Sequence, residues 1–251
     1  MHLQLAETMR SRAEESAAAA EWQLLLCPGN WPNFFFGSVA PDYETISGVP
    51  RSATHFYRMP PSSVLEGPRA MLTAFPCVSP GKDLAQWRAA FTAAYLAHLY
   101  IDLKWHFQVV MPYFAAPEQF ADRHLAYRSH LALLTYLDAR ALASLSPHAK
   151  HDLEVARTVE VLPFDDQGGL GAWQAYLVNQ LRPGAATQTV AIFAGRLQMT
   201  PQAFAAKLED RDWMEKELFS RVPVPAIQQL LEESVVESLD LIVAYWRGQL
   251  V

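Results

Sequence analysis

The sequence AHLYIDLKWH, residues 97–106, places two histidines and one aspartate four residues apart. On an α-helix each four-residue step advances about 40° around the axis, so we expect His98, Asp102 and His106 on one side of a helix. The stretch therefore predicts a helix with three metal-ligand residue types on one side. Its surroundings decide whether that side is buried.

The side of the predicted helix that carries these residues is apolar and aromatic. Counting back from His98 by the helical period gives Tyr95, Phe91, Trp87 and Leu84. Imidazole and carboxylate groups on a stripe that faces a core cost free energy unless other groups pair with them. A metal ion would satisfy them, and so would the hydrogen bonds of ordinary core histidines. The helix alone leaves both interpretations open.

The composition indicates a globular protein with a sizeable core. Hydrophobic residues make up 51% of the 251 residues and charged residues 18%, which is not typical of a disordered chain. The formal net charge of -6 disfavours a nucleic-acid partner. Because no apolar run reaches the roughly 18 residues of a membrane span, and the first residues lack a signal-peptide pattern, we expect no membrane span and a cytoplasmic protein. Cys27 and Cys77 are too few for a disulfide framework, and we expect buried thiols.

The rest of the chain predicts an all-α fold, with a single domain over residues 1–251. Helical patterns cover residues 2–26, a central helix up to Met111 where Pro112 ends it, residues 117–146, and several segments after residue 173. Residues 41–70 contain five prolines and two glycines, which predicts a long loop of the kind that is commonly functional. Residues 155–161 and 187–193 stay ambiguous between helix and strand.

Further residues of the metal-ligand type are spread along the first part of the chain. His2 begins the first predicted helix, Asp42 ends a glycine- and proline-containing turn, and His55 follows Asp42 by thirteen residues. Imidazole and carboxylate groups without thiolates suit zinc, or another first-row divalent ion, in a hydrolytic site. Ligands from such distant segments, with one residue bridging, would form a multinuclear centre.

Three motifs resemble those of the zinc-dependent phospholipase C family. They are GSVAPD at residues 37–42, THF at residues 54–56, and AHL at residues 97–99 followed by Asp102 and His106. The resemblance covers roughly residues 1–140, whereas residues 145–251 carry no matching motif. It implies an all-helical fold related to the P1-type zinc nucleases, with two or three zinc ions in a cleft where phosphodiester bonds are hydrolysed.

The resemblance also implies a role for individual residues at two ions. Asp42, His55, His98 and Asp102 would surround one zinc ion. Asp102 would bridge to a second ion that also takes His2. The near-N-terminal position of His2 fits the family pattern as well.

The chain departs from the family pattern at the remaining ligands. A third ion would use His106 and a further histidine, for which His130 is the candidate. The family has a histidine followed four residues later by glutamate, whereas His130 is followed by Leu134. The family also uses the amino group of its processed N-terminus at the second ion, whereas Met1 precedes His2 here. Whether the Met1 nitrogen takes that place, and whether the third ion is bound, stays open.

The function expected from these residues is zinc-dependent hydrolysis of a small-molecule or lipid phosphodiester. Bound zinc lowers the pKa of its water to about 7, and Asp42 is the candidate catalytic residue that accepts a proton from this water. A nuclease or phosphatase on the same scaffold is one alternative. The pair His151-Asp152, which forms the kernel of HD-type phosphohydrolases, is another. A non-catalytic protein with a structural or degenerate zinc site is the third.

Overall fold

Helices form the regular structure of this protein. A computed structural model describes residues 1–15, 20–116, 119–120, 122–165, 168–182, 184 and 188–250. Within these ranges the chain forms fourteen α-helices and no strand, so the predicted all-α fold is confirmed. The α-helices are α1 His2–Glu15, α2 Ala20–Leu26, α3 Trp31–Gly37, α4 Glu44–Ser47, α5 Arg51–His55, α6 Glu66–Ala74, α7 Gln86–Trp105, α8 Arg123–Ser144, α9 Ala149–Val155, α10 Gly169–Gln180, α11 Thr189–Arg196, α12 Pro201–Glu209, α13 Arg211–Met214 and α14 Val224–Arg247. None of these described helices is both long and apolar enough to cross a bilayer.

The buried centre of the domain is α7, the helix that carries the quoted stretch. Its first twelve residues are rich in small buried side chains, which are Ala89, Ala90, Ala93, Ala94 and Ala97. Because these side chains are small, α3 packs very close to α7, so that a Cβ added at Gly37 would lie 2.4 Å from the Phe91 carbonyl oxygen. The three consecutive phenylalanines of α3, at residues 34–36, are also completely buried. The ligand-bearing helix is thus also the main core helix.

Residues 145–251, for which the sequence indicated no role, support the first half of the chain. Trp173 on α10 donates its indole N–H to the Val39 carbonyl oxygen at 2.7 Å, which steadies the turn that leads to Asp42. On the opposite side α14 packs along α7, and the buried Lys104 ammonium pairs with Glu237. These contacts join both halves in a single helical domain.

Several local predictions differ from the structure. Residues 41–70, expected to be a loop, contain α4, α5 and part of α6, whose lengths of four to nine residues are too short to show a clear hydrophobic period. The α-helix predicted to run to Met111 ends at Trp105, and the chain continues through Pro112 as a π-helix, His106–Phe114. Cys27 is partly exposed and Cys77 exposed, so the expectation of buried thiols is wrong.

Within the described residues the structure also decides the two segments that were ambiguous between helix and strand, and it gives the bounds of the long helices. Residues 189–193 lie at the start of α11, Val155 ends α9, and residues 156–161 are irregular with a turn at 159–160. The helix predicted over residues 2–26 is found as α1 and α2, and the one predicted over 117–146 as α8. Residues 16–19, 117–118, 121 and 187 of these predictions lie outside the described residues.

Candidate metal centre

Four of the predicted ligands converge on one point. Asp42 lies in a 3₁₀ turn, Ala40–Tyr43, His55 ends α5, and His98 and Asp102 lie one turn apart on α7. The His55 Nε2 atom is 3.6 Å from Asp42 Oδ1 and 3.4 Å from Asp102 Oδ2. The His98 Nε2 atom is 3.8 Å and 3.7 Å from the same two oxygens. Two imidazole nitrogens therefore face two carboxylate oxygens across one small space.

The tautomer of His98 is fixed by its other nitrogen. His98 Nδ1 lies 2.8 Å from the Ser38 carbonyl oxygen, and a carbonyl can only accept a hydrogen bond. The neutral imidazole therefore carries its proton on Nδ1 and presents the lone pair of Nε2 to the carboxylates. A backbone partner of this kind is what orients a metal-binding histidine.

The same argument applies to His55 through a hydroxyl group. The Thr54 hydroxyl donates its one proton to the Arg51 carbonyl oxygen at 3.1 Å and lies 2.8 Å from His55 Nδ1. Both contacts are satisfied when the hydroxyl donates to the carbonyl and His55 Nδ1–H donates to the hydroxyl, an arrangement that favours the Nδ1–H tautomer of His55. In the neutral form of the ring, His55 Nε2 is then also a free lone pair. The Thr54 backbone is itself held by the buried Tyr95 hydroxyl, which donates to its carbonyl at 2.6 Å.

Both Nε2 atoms are buried and lack a hydrogen-bond partner among the described residues. A buried polar atom without a partner costs about 1–3 kcal/mol, so two such atoms side by side need an explanation. A tetrahedral zinc ion, with ligands at about 2.0–2.2 Å, holds ligand atoms about 3.3–3.5 Å apart. The four separations of 3.4–3.8 Å come close to this spacing. The residues therefore fit a divalent metal ion.

Comparisons with protein-family models, with curated proteins and with solved structures found no match. The support for this centre therefore comes from its own side chains. Atoms of His2, His98 and Asp102 form one group that could hold an ion, and atoms of Asp42, His55 and His98 form another. The structure thus brings together five of the predicted ligands.

His2 lies on the far side of Asp102. Its Nε2 atom is 3.3 Å from Asp102 Oδ1, whereas Asp102 Oδ2 faces His55 and His98. The His2 ring stacks on the His98 ring with centroids 3.9 Å apart. Burial, and then the neighbouring His98, lower the pKa of His2, which keeps its imidazole neutral and able to bind a metal. Asp102 thus directs one oxygen to each side, as the predicted bridging role requires.

The two aspartates are strongly biased towards the ionised form. Burial opposes their ionisation, but His98 together with His55 lowers the pKa of Asp42, and His98 together with Arg51 lowers the pKa of Asp102 well below its usual range. Burial likewise disfavours the charged form of His55, but the adjacent Asp102 and Asp42 outweigh this effect and raise its pKa. The two carboxylates thus draw positive charge into the cluster: in the metal-free protein they favour a proton on His55 Nε2, and a metal ion at that position would displace it.

One cation of the chain itself already lies at this cluster. The Arg51 guanidinium pairs with Asp102 Oδ2, lies 3.5 Å from Asp42 Oδ1 and 3.2 Å from Glu44 Oε1, and reaches the Tyr57 hydroxyl at 3.4 Å. The sequence indicated an ion-paired Arg51 but not its position at the ligand cluster. Arg51 precedes His55 by four residues, the spacing that relates His98 to Asp102, and this spacing was the available signal.

The remaining predicted ligands lie outside the two groups. His106 and His130 belong to neither group of possible ligands in the described part of the chain. His130 Nε2 accepts a hydrogen bond from the Trp105 indole at 3.0 Å, and burial lowers the pKa of His130 to about 4. It is a neutral core histidine, and the geometry does not assemble a third ion site around it. The Met1 amino group lies 2.6 Å from Asp138 Oδ1 and is thus engaged in an ion pair.

The alternative centre at His151-Asp152 is not assembled either. Asp152 Oδ2 accepts the Trp31 indole N–H at 2.9 Å, whereas His151 is exposed. Neither residue belongs to a group of possible ligands in the described ranges. This pair joins α9 to α3 and offers no support for an HD-type phosphohydrolase.

Proposed function

We propose that this protein is a zinc-dependent hydrolase of phosphodiester bonds, of the phospholipase C type. The observation that carries the proposal is the pair of buried Nε2 atoms, on His55 and His98, that face the Asp42 and Asp102 carboxylates without hydrogen-bond partners among the described residues. The motifs at residues 37–42, 54–56 and 97–102 support it independently, since they resemble that family.

Each side chain has a separate task in this proposal. His55, His98, Asp42 and one oxygen of Asp102 hold the first ion, and His2 with the other oxygen of Asp102 holds a second. When bound, zinc supplies a Lewis acid that provides hydroxide near neutral pH. Asp42, 32% exposed at its side chain, lies at the solvent side of the cluster and can accept a proton there.

Two hydrogen-bond donors next to the carboxylates suit an anionic substrate. The Arg51 side chain is 45% exposed, and a guanidinium can donate two parallel bonds to phosphate oxygens. Tyr57 adds a phenol whose pKa is raised, by burial first and then by Asp102, so it stays protonated and can donate. These two groups would orient the phosphate.

Metal content and hydrolysis test the proposal together. The purified protein is expected to bind two zinc ions, to hydrolyse members of a phosphodiester panel and to lose this activity on chelation. His98→Ala and Asp102→Ala should lose zinc and activity, Asp42→Asn should lose activity, and His2→Ala should retain one ion. His151→Ala, an exposed histidine outside the centre, is the matched control and should behave like the wild type.

Three outcomes would contradict the proposal or redirect it. Full zinc content and activity in His98→Ala would contradict the centre itself, provided circular dichroism shows that the variant is folded. One tightly held ion without hydrolysis of any phosphodiester would favour the structural alternative. Activity on dinucleotides but not on phospholipids would place the enzyme with the nucleases on the same scaffold.

A further inference from the structure

Arg51 occupies the carboxylate oxygens that the proposed metal ion requires. Its Nη2 pairs with Asp102 Oδ2, and its Nη1 lies 3.5 Å from Asp42 Oδ1. These are the same two oxygens that face the Nε2 atoms of His55 and His98. The guanidinium and a metal ion at that position would therefore compete for the same carboxylate lone pairs.

A guanidinium and a divalent cation cannot both bind these oxygens closely. Both are positive, and at a few ångströms inside a partly buried cluster their repulsion is only weakly screened. The metal requires ligand atoms at about 2.0–2.2 Å, so the guanidinium has to withdraw from Asp102 Oδ2 when the ion binds.

The surroundings of Arg51 offer it a second position. Glu44 Oε1 already lies 3.2 Å from Arg51 Nη1, and the Glu44 side chain is only 11% exposed. Three carboxylates, Asp42, Glu44 and Asp102, face one guanidinium, so two negative charges are left over when the histidines are neutral. When the first ion position alone is occupied, a divalent ion with the two aspartates, and Arg51 with Glu44, would balance these charges.

We propose that Arg51 is an internal counter-ion that competes with the metal for Asp42 and Asp102 and moves to Glu44 when the metal binds. This inference depends on the metal centre of the proposed function. In this proposal Arg51 has two effects: it stabilises the metal-free protein, and it lowers the affinity of the protein for the metal ion. Glu44 acts in the opposite direction, because it receives the displaced guanidinium.

The competition predicts opposite effects of two substitutions on zinc affinity. Arg51→Gln should bind zinc at least about tenfold more tightly than the wild type, since the hydrogen bonds of a charged group no longer have to be broken. The same variant should unfold at lower urea concentration when zinc is absent. Arg58→Gln, an exposed arginine seven residues further on, removes the same charge without these contacts and should leave both quantities unchanged.

Glu44→Gln supplies the second half of the test. In the wild-type background it should weaken zinc binding several-fold, because Arg51 loses its second position. In the Arg51→Gln background the same change should have an effect within about twofold. A general loss of negative charge near the ion would instead weaken binding equally in both backgrounds, so the double-mutant cycle separates the two causes.

Zinc affinity is measured by competition with a chromophoric chelator at fixed pH and ionic strength, on the full chain and the four variants. Tighter binding in Arg51→Gln, together with the background-dependent effect of Glu44→Gln, supports the competition. Equal or weaker binding in Arg51→Gln, with normal binding in the wild type, overturns this inference alone. A wild type that binds no zinc overturns the proposed function and this inference together.

Discussion

Replacing Gly37 by alanine should damage both the core and the candidate metal centre. Gly37 is the last residue of α3, at the closest approach of α3 to α7. An alanine Cβ would lie 2.4 Å from the Phe91 carbonyl oxygen and 3.1 Å from the Ala94 Cβ. Ordinary contacts of a Cβ begin near 3.4 Å, so the two helices would have to separate by about 1 Å. The Phe91 carbonyl oxygen belongs to the backbone, so a change of side-chain rotamer cannot relieve the overlap.

The size of the effect follows from two opposing terms. Overpacking a core of this density costs about 1–3 kcal/mol, and alanine in place of a helical glycine returns about 0.5–1 kcal/mol. We therefore expect Gly37→Ala to lower the free energy of unfolding by about 1 kcal/mol, and by about 2.5 kcal/mol at most. The displacement passes directly to Ser38, whose carbonyl oxygen holds His98, and loss of such a supporting bond weakens metal binding about 10–100-fold.

Urea unfolding in the presence of a chelator measures the first effect, and chelator competition measures the second. Gly195→Ala is the matched control, since it lies in α11 and a Cβ there meets nothing within 4 Å. The control should be neutral or slightly stabilising. Unfolding of Gly37→Ala at the wild-type urea concentration, together with wild-type zinc affinity, would refute this expectation.

Two further substitutions test the residues that lie outside the centre. His130 should destabilise the wild type in mild acid. In the unfolded chain it takes up a proton below about pH 6.5, whereas in the folded protein burial lowers the pKa of His130 to about 4. The free energy of unfolding should therefore fall by about 2 kcal/mol between pH 7 and pH 5. In His130→Gln this part of the pH dependence should be absent. If the unfolding curves of the variant at pH 7 and pH 5 differ as much as those of the wild type, His130 is not the cause of the effect. Asp152→Ala should lower stability by about 1–3 kcal/mol, because the Trp31 indole loses its acceptor, yet zinc content measured by elemental analysis should not change; loss of zinc would revive the His151-Asp152 centre.

The helical period predicted one part of the centre better than another. His98 and Asp102 are a single step of four residues apart, a rotation of about 40°, and both reach the same space. His106 is two steps from His98, a rotation of about 80°, and from His106 onwards the chain forms a π-helix. Periodicity in the sequence carried no sign of that change. The error thus increased with distance along the helix.

The positions of Asp42 and His55 could be expected only from the resemblance, since no local pattern relates them to α7. Their convergence depends on long-range contacts, such as the Trp173 indole on the Val39 carbonyl and the Tyr95 hydroxyl on the Thr54 carbonyl. The donors of these bonds lie 134 and 41 residues from their acceptors in sequence. Propensity and spacing say nothing about such pairs, which is why the supporting residues were not predicted.

The charges of the centre connect its stability to its proposed chemistry. Asp42 and Asp102 are ionised inside a cluster whose histidines are almost fully buried, an arrangement that would be unfavourable without a cation. Arg51 supplies one positive charge, whereas three carboxylates surround it. A centre built only to stabilise the fold would need no unpartnered imidazole nitrogens and no excess of negative charge. A divalent ion would bind the imidazole nitrogens and offset the excess negative charge. The same residues that weaken the metal-free core are therefore the ones expected to hold the ion.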